Sequence, residues 1–469
     1  MTAPTADIVV GGRTPVRQEP QAQTDAELLV AASVLLADAA LAARRTGAEL
    51  TAAAASWRVG LQALRRPGWA LGTALSAARA LSNPGGLGLA VNGGMVGETV
   101  RSLGAVTRRR PACVAMAVDA FALRIEAAAR EHPNLAAPLA KRLTDAVVAG
   151  RRLEVLRATR ELVDLLGVTR TLTTISPVIM ELLALAGLLD ENPTNDSFAW
   201  VTLAGGVPAT DPLLGLPAAL IRHLNPGAGR AERTEADAML ARVLERSGND
   251  IVRYIDDISA LGNHGLALLR SVACADGTRR HVVLLPGTSF GRLSNSTPQD
   301  LVGAFDALLR TDTTYSRSVK QMLVRAGVPE GSELMIVGHS LGGITAMNLA
   351  CDLDFVSTYR LTHVITVGSP IDTKRPADPT TRVVSLVNQH DVIPGLDGRG
   401  PASANDIPAD WVEFSWLDET YDYPLSHAPQ AYADTLRSGD VPHRASVNAL
   451  ITRYDGEIVG NQPYLLRDK

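Results

Sequence analysis

The 469-residue sequence predicts an α/β fold, a mostly parallel sheet with helices on both faces, preceded by a large all-helical N-terminal region. Three observations carry this. From about residue 265 onward, apolar β-branched runs alternate with helix-patterned stretches, as in sheets covered on both faces by crossover helices. From Thr24 to about Leu189 the chain instead reads as a string of Ala- and Leu-rich helices. Between them, residues 190–230 ("DENPTNDSFAW...LNPGAGRAE") are rich in Pro, Gly and Asn and mark a connection. The expected division is a disordered tail over 1–23, a helical region over 24–250 and an α/β domain over 251–469. A chain with 46% hydrophobic and 20% charged residues can fill more than one core.

The elements follow in order. "TDAELLVAASVLLADAALAARRTG" opens with a capping box, Thr24 with Glu27, and carries arginines before Gly47, which is expected to end the helix. Further helices are expected over 52–66, 112–130, 135–148, 153–166 and 177–189. "SNPGGLGLAVNGG" is a glycine-rich loop; no Gly-Lys-Ser/Thr follows it, so it does not read as a phosphate cradle. An amphipathic helix is expected near 233–244. "LALLRSVACADGTRRHVVLLPGT" then reads as two strands around the Asp276-Gly277 turn. After it come a helix in "TPQDLVGAFDALLRT", a strand in "ELMIVGHS" and a helix in "LGGITAMNLACDL". Strands in "THVITVGSP", "TRVVSLVNQHD" and "DWVEFSW" and a helix in "PQAYADTLRSG" complete the series.

Charge and cysteine usage narrow the classes. The net charge of −4 hides an asymmetry: residues 40–160 carry 18 Lys or Arg against 7 Asp or Glu. A basic face can offset the acidic remainder or meet an anionic membrane surface. Nucleic acid is not expected, because aromatics make up only 4% of the chain and none interleave with the basic positions as a binding motif. Cys113, Cys274 and Cys351, odd in number and far apart, form neither a disulfide framework nor a zinc spacing. With no basic segment followed by an apolar run among the first thirty residues, a cytoplasmic, membrane-associated or soluble protein is expected. No stretch reads as a spanning helix: 80–97 is broken by Gly, Asn and Pro, and 182–189 lies between Glu181 and Asp190.

Two stretches, "LLPGTSFGRL" and "IVGHSLGGIT", each contain Gly-x-Ser-x-Gly, and context separates them. A nucleophilic serine of this type stands on a sharp turn between strand and helix, where small neighbours leave its Oγ exposed. Ser340 follows an apolar strand and opens a helix. Ser289 also follows a strand but enters "GRLSNSTPQD", a loop that ends at Thr297 as cap and Pro298 in the first helical turn. Ser340 is therefore the candidate nucleophile. The first copy is the candidate anion-binding turn, with an N–H from Thr288 or Ser289 and a second from Leu341 facing the oxyanion. A serine needs a base, and the base a carboxylate to hold its tautomer. Asp391, just past the strand "TRVVSLVNQHD", is the candidate acid, with Asp372 in "GSPID" as the alternative. His427 in "YPLSHAPQAY" is the candidate base and His443 in "DVPHRAS" the alternative. His390 is too close to Asp391 in sequence to bridge it to Ser340, and His339 is expected to pack or orient.

"MIVGHSLGGITA", "LLPGTS", "VVSLVNQHDVIP" and "SHAPQAYADTL" resemble the α/β-hydrolase superfamily and, within it, the class 3 lipase-like esterases, over about residues 265–437. The resemblance implies an oxyanion turn at Thr288, an elbow at Ser340, an acid at Asp391 and a late histidine at His427. It further implies hydrolysis of a small-molecule or lipid carboxylic ester through an acyl-enzyme, with neither metal nor organic cofactor. Acyl transfer or thioester cleavage would use the same triad. A reading of another class is a membrane-docking or binding module carrying an inactive hydrolase fold. The helical region 24–250 matches nothing in the family and is expected to act as a lid or a membrane-facing domain.

Overall fold

The computed structural model describes residues 7–10, 24–54, 112–132, 135–189, 195–206, 220, 222–223, 225–245, 248–289, 295–397, 408, 410–417, 425–439 and 443–469. Its centre is one nine-stranded sheet. The strands are β1 (Asp7–Val10), β2 (Arg230–Arg233), β3 (Leu266–Cys274), β4 (Arg279–Leu285), β5 (Glu333–His339), β6 (Arg360–Val367), β7 (Arg382–Asn388), β8 (Trp411–Trp416) and β9 (Gly456–Arg467). They lie in the order β1-β8-β7-β6-β5-β4-β3-β9-β2. The block from β4 to β8 is parallel throughout. Antiparallel ladders flank it: β8 pairs β1, β4 pairs β3, β3 pairs β9 and β9 pairs β2. The sheet is therefore mixed, a correction to the mostly parallel sheet expected.

The correction comes from strands the sequence hid. β9 contains Gly456, Gly460 and Pro463, residues that count against a strand, and it bulges where Ser271 and Val272 of β3 face it. β1 lies in the tail expected to be disordered, and β2 stands where a helix was expected to begin. Both precede residue 250, so the sheet draws on chain from either side of the expected boundary.

The central strands are buried on both faces, and successive side chains enter two different cores with a period of two. Val283, Leu285, Leu334 and Ile336 enter the core on one face, beneath α9 (Leu301–Leu309), α10 (Thr314–Arg325), α11 (Leu341–Ala350) and α12 (Leu353–Thr358). Val282, Leu284, Met335 and Val337 enter the opposite core, beneath α7 (Ala238–Leu244), α8 (Ile251–Leu261), α13 (Pro429–Ser438) and α14 (His443–Ile451). A buried ion pair ties this second layer together. Arg270 on β3 meets Asp257 on α8 at 2.5 Å and also donates to Asn461 on β9 and to the Gly248 carbonyl.

The helical region has its own core, built from α1 (Asp25–Ala54), α2 (Ala112–Glu131), α5 (Ile179–Leu189) and α6 (Asp196–Leu203). Beside it lie α3 (Pro138–Val148) and α4 (Arg152–Ile175). The Thr24–Glu27 capping box forms in both directions, at 2.9 and 3.2 Å. α1 does not stop at Gly47 but continues to Ala54, since one glycine inside a helix costs only about 1 kcal/mol. Helix α6 lies within the stretch expected to be a connection. The helix expected over 52–66 lies, beyond Ala54, outside the described residues, as does the glycine-rich loop. The segment Asp25–Glu49 of α1 is long and apolar enough to cross a membrane by length and composition, at a hydropathy of 1.9, which corrects the expectation that no stretch qualifies.

Candidate active site

Ser340 stands between β5 and α11 with φ 54° and ψ −123°, the one non-glycine residue at positive φ among the described residues. Side chains rarely adopt this conformation, and its persistence shows how tightly the neighbours hold it. Small residues make that possible. A Cβ on Gly342 would lie 2.1 Å from the Leu285 carbonyl oxygen, and one on Gly338 would lie 2.3 Å from Gly342. The Ser340 N–H donates to the Val367 carbonyl at 2.9 Å, and its own carbonyl accepts from Gly343 and Ile344 in the first turn of α11.

His427 closes the gap from a short 3-10 turn, Leu425–His427, ahead of α13. Its Nε2 lies 2.9 Å from Ser340 Oγ and its Nδ1 lies 2.6 Å from Asp391 Oδ2. A carboxylate can only accept, so Nδ1 carries the proton and the Nε2 lone pair faces the serine hydroxyl. All three residues are buried, with Ser340 3% exposed. Asp391, on the turn after β7, also accepts from the Tyr432 hydroxyl at 2.7 Å and from the Ile393 N–H at 3.0 Å.

The alternatives fall elsewhere. Asp372 sits half-buried in the turn after β6, where Arg375 donates to its carbonyl. His443 opens α14 and packs against the Phe414 and Trp416 rings. His390 adjoins Asp391, and its N–H donates to Asn388. His339 lies beneath the base, its Nε2 2.7 Å from the His427 carbonyl and the two ring centres 4.7 Å apart. Burial first, and the neighbouring His427 second, hold His339 well below the ordinary histidine range. As a neutral ring donating from Nε2, it fixes the backbone that carries His427.

The anion-binding turn divides. Gly287 approaches the elbow so closely that a Cβ there would lie 2.8 Å from the Ser340 Cβ, which brings Thr288 beside the nucleophile. Among the described residues, the N–H groups of Thr288 and Leu341 have no hydrogen-bond partner. Ser289 is different: its N–H donates to the Gln299 carbonyl at 2.6 Å. That bond removes Ser289 from the candidate oxyanion donors and gives the first Gly-x-Ser-x-Gly copy a structural role, pinning the turn to the segment before α9.

Two residues at the site went unread in the sequence. Tyr432 accepts from the Asn388 N–H while donating to Asp391, and Asn388 Nδ2 donates to the Ser426 carbonyl beside His427. Together they tie the acid turn to the histidine turn. The only signal was weak: Tyr432 lies on the buried face of α13, where an aromatic reads as core, and Asn388 ends a strand, where it reads as a turn former. Among the described residues, no group of three or more His, Cys, Asp or Glu is placed to hold a metal ion.

A parallel block feeding a strand–serine–helix elbow is consistent with an α/β-hydrolase in the C-terminal part of this chain, where the lipase (class 3) family model matches residues 296–399. The matched stretch includes Ser340 and Asp391 and ends before His427. It supports ester hydrolysis of the lipase type at the general level. No curated protein and no solved structure matches the chain.

Proposed function

We propose that this protein is a serine hydrolase that cleaves carboxylic esters, of lipids or of small molecules, through an acyl-enzyme on Ser340. The observation that carries the reading is the unbroken hydrogen-bond chain from Ser340 Oγ through His427 to Asp391. In the proposed cycle, Ser340 Oγ bonds to the ester carbonyl carbon as its proton passes to His427 Nε2. The oxyanion then faces the N–H groups of Thr288 and Leu341. His427 returns the proton to the departing alkoxide, leaving the acyl group on Ser340. Water, deprotonated by the same nitrogen, attacks the acyl carbon, and the acid leaves as Ser340 regains its proton. Asp391 holds the imidazole throughout, with Tyr432 and His339 as positioning residues.

With Ser340 3% exposed, little of the nucleophile meets solvent, and what covers it bears on substrate entry. We propose the helical region as part of that cover. Supporting this, Ser176 donates to the Gln389 carbonyl two residues before Asp391, and Leu396 packs on the helical core. We also propose a cytoplasmic location, supported by three unpaired cysteines.

A second reading, peripheral contact with a membrane, is favoured by α1, where Leu28 and Leu35 lie seven residues apart and are 51% and 72% exposed. Replacing both by Ser should reduce co-sedimentation of the full chain with anionic vesicles. Equal sedimentation of wild type and variant would remove α1 as the contact.

The reaction is tested with a panel of p-nitrophenyl esters of graded chain length, with and without competing alcohols, on wild type and Ser340→Ala. The reading predicts hydrolysis that the variant loses. Products captured mainly by the alcohol would reassign the protein as an acyltransferase, and activity retained by the variant would remove Ser340 from the chemistry.

A further inference from the structure

A concave site lies at the far end of the helix that Ser340 opens. A cavity of about 500 Å³ sits between the end of α9, the residue after α11 and the loop 373–375. That volume falls within the range of roughly 300–1,000 Å³ usual for small-molecule sites. Ser340 precedes α11 and Cys351 follows it, and ten helical residues span about 15 Å, so the cavity is separate from the nucleophile.

Its lining is cationic. Arg222, Arg310, Lys374 and Arg375 face one acid, Asp312, and that acid already pairs with Arg317 at 2.9 Å. Arg310 pairs with Asp306 at 2.7 Å. Lys374 is buried, its Nζ 3.0 Å from the Ala307 carbonyl oxygen, so its charge is fixed against the end of α9. Helix ends explain part of this: the last carbonyls of α9 and α11 each amount to roughly half a negative charge. They do not explain Arg222 and Arg375, which have no carboxylate partner among the described residues. Arg375 is held in place instead, donating to two backbone carbonyls with its guanidinium 5.0 Å from the centre of the Trp411 ring. Leu308 and Leu309 add an apolar wall. The Cys351 thiol, which donates to the Arg375 carbonyl at 2.9 Å, is pushed up by burial and adds no negative charge.

We propose that this cavity binds the phosphate dianion of a small organic phosphate, with Arg222 and Arg375 on its oxygens and the organic group against Leu308 and Leu309. Two guanidinium forks without carboxylate partners among the described residues, beside a fixed ammonium, suit a dianion better than a carboxylate. The phosphate could belong to a soluble ester or to a lipid headgroup, and the test separates these.

The experiment is calorimetric titration of the full chain with phenyl phosphate, inorganic phosphate and benzoate. Phenyl phosphate should bind at least tenfold more tightly than benzoate, and should tighten from pH 5 to 7.5 as its second proton leaves, near a pKa of about 6. The Arg222→Gln/Arg375→Gln variant should bind it at least tenfold more weakly while hydrolysing esters as wild type does. Should loss of the Arg375–Trp411 contact unfold that variant, Arg222→Gln alone serves, since Arg222 is exposed. Vesicles of phosphatidylcholine with and without phosphatidic acid assign the source. Capture by phosphatidic acid that phenyl phosphate competes away means a lipid headgroup, and phenyl phosphate binding without vesicle capture means a soluble ester. Absence of saturable phenyl phosphate binding, or equal binding by wild type and variant, would overturn the proposal.

Discussion

At the scale of single residues, the site rests on one backbone conformation and a short line of hydrogen bonds. Asp391 accepts from three donors, and two of them, His427 Nδ1 and the Tyr432 hydroxyl, share Oδ2. Asp391→Asn should lower kcat by about 10⁴, because an amide nitrogen facing Nδ1 inverts the tautomer that His427 needs. Tyr432→Phe removes one hydrogen bond to a charged group, worth about 1.5–3 kcal/mol. Steady-state kinetics should show kcat reduced roughly 10- to 100-fold with KM little changed; an unaltered kcat would make Tyr432 a packing residue only. The nucleophile, acid and base candidates were legible because each stands in a short motif at the edge of a strand or helix. Tyr432 and Asn388 were not, since their roles arise from contacts 41 and 38 residues distant in sequence. The Ser289 bond to Gln299 was hidden for the same reason: nothing in "GTSFG" shows where its amide points.

At the scale of elements, β5, α11 and the β4 turn interlock through residues that have no room for a side chain. Gly342→Ala would place a methyl 2.1 Å from the Leu285 carbonyl oxygen, a backbone atom that cannot swing aside. It should destabilise the protein by about 3 kcal/mol or more, read as a lowered urea midpoint, while Ala at Gly331, on an open turn, meets nothing within 4 Å and is strained only by its φ of 77°. The buried pair behind β3 supplies a second case. Asp257→Ala leaves Arg270 charged and buried without its carboxylate, which should cost about 3–5 kcal/mol. A loss under 1 kcal/mol would show that water or a neighbour replaces it. The parallel block was readable because β-branched runs between helices have one packing solution. The antiparallel edges were not, because β1 and β2 are four residues each and β9 carries glycine and proline inside a paired strand.

At the scale of the whole molecule, the helical region and the sheet meet at the turn that carries the acid, through Ser176, Leu396 and the neighbouring His132 and His390. Burial chiefly, and His390 nearby, lower His132 to about 4, and burial lowers His363 likewise to about 4. Between about pH 6.5 and 4 the unfolded chain therefore binds more protons at these sites than the folded one. The stability they contribute is complete above pH 6.5 and is lost as the pH falls towards 4, by about 1.4 kcal/mol per pH unit for each ring. From pH 6.5 to 5, wild type should lose about 2 kcal/mol more stability than His132→Asn in urea unfolding; parallel curves would place the His132 ring in solvent. Little of this meeting of layers was readable, because it joins residues more than two hundred positions apart. The proposed chemistry turns on the identity of one nucleophile. Intact-mass analysis of the full chain after treatment with a fluorophosphonate ester addresses it directly. A single adduct is expected, which peptide mapping locates on Ser340 and which Ser340→Ala does not form, whereas an adduct on another residue, or equal labelling of the variant, would contradict Ser340 as the nucleophile.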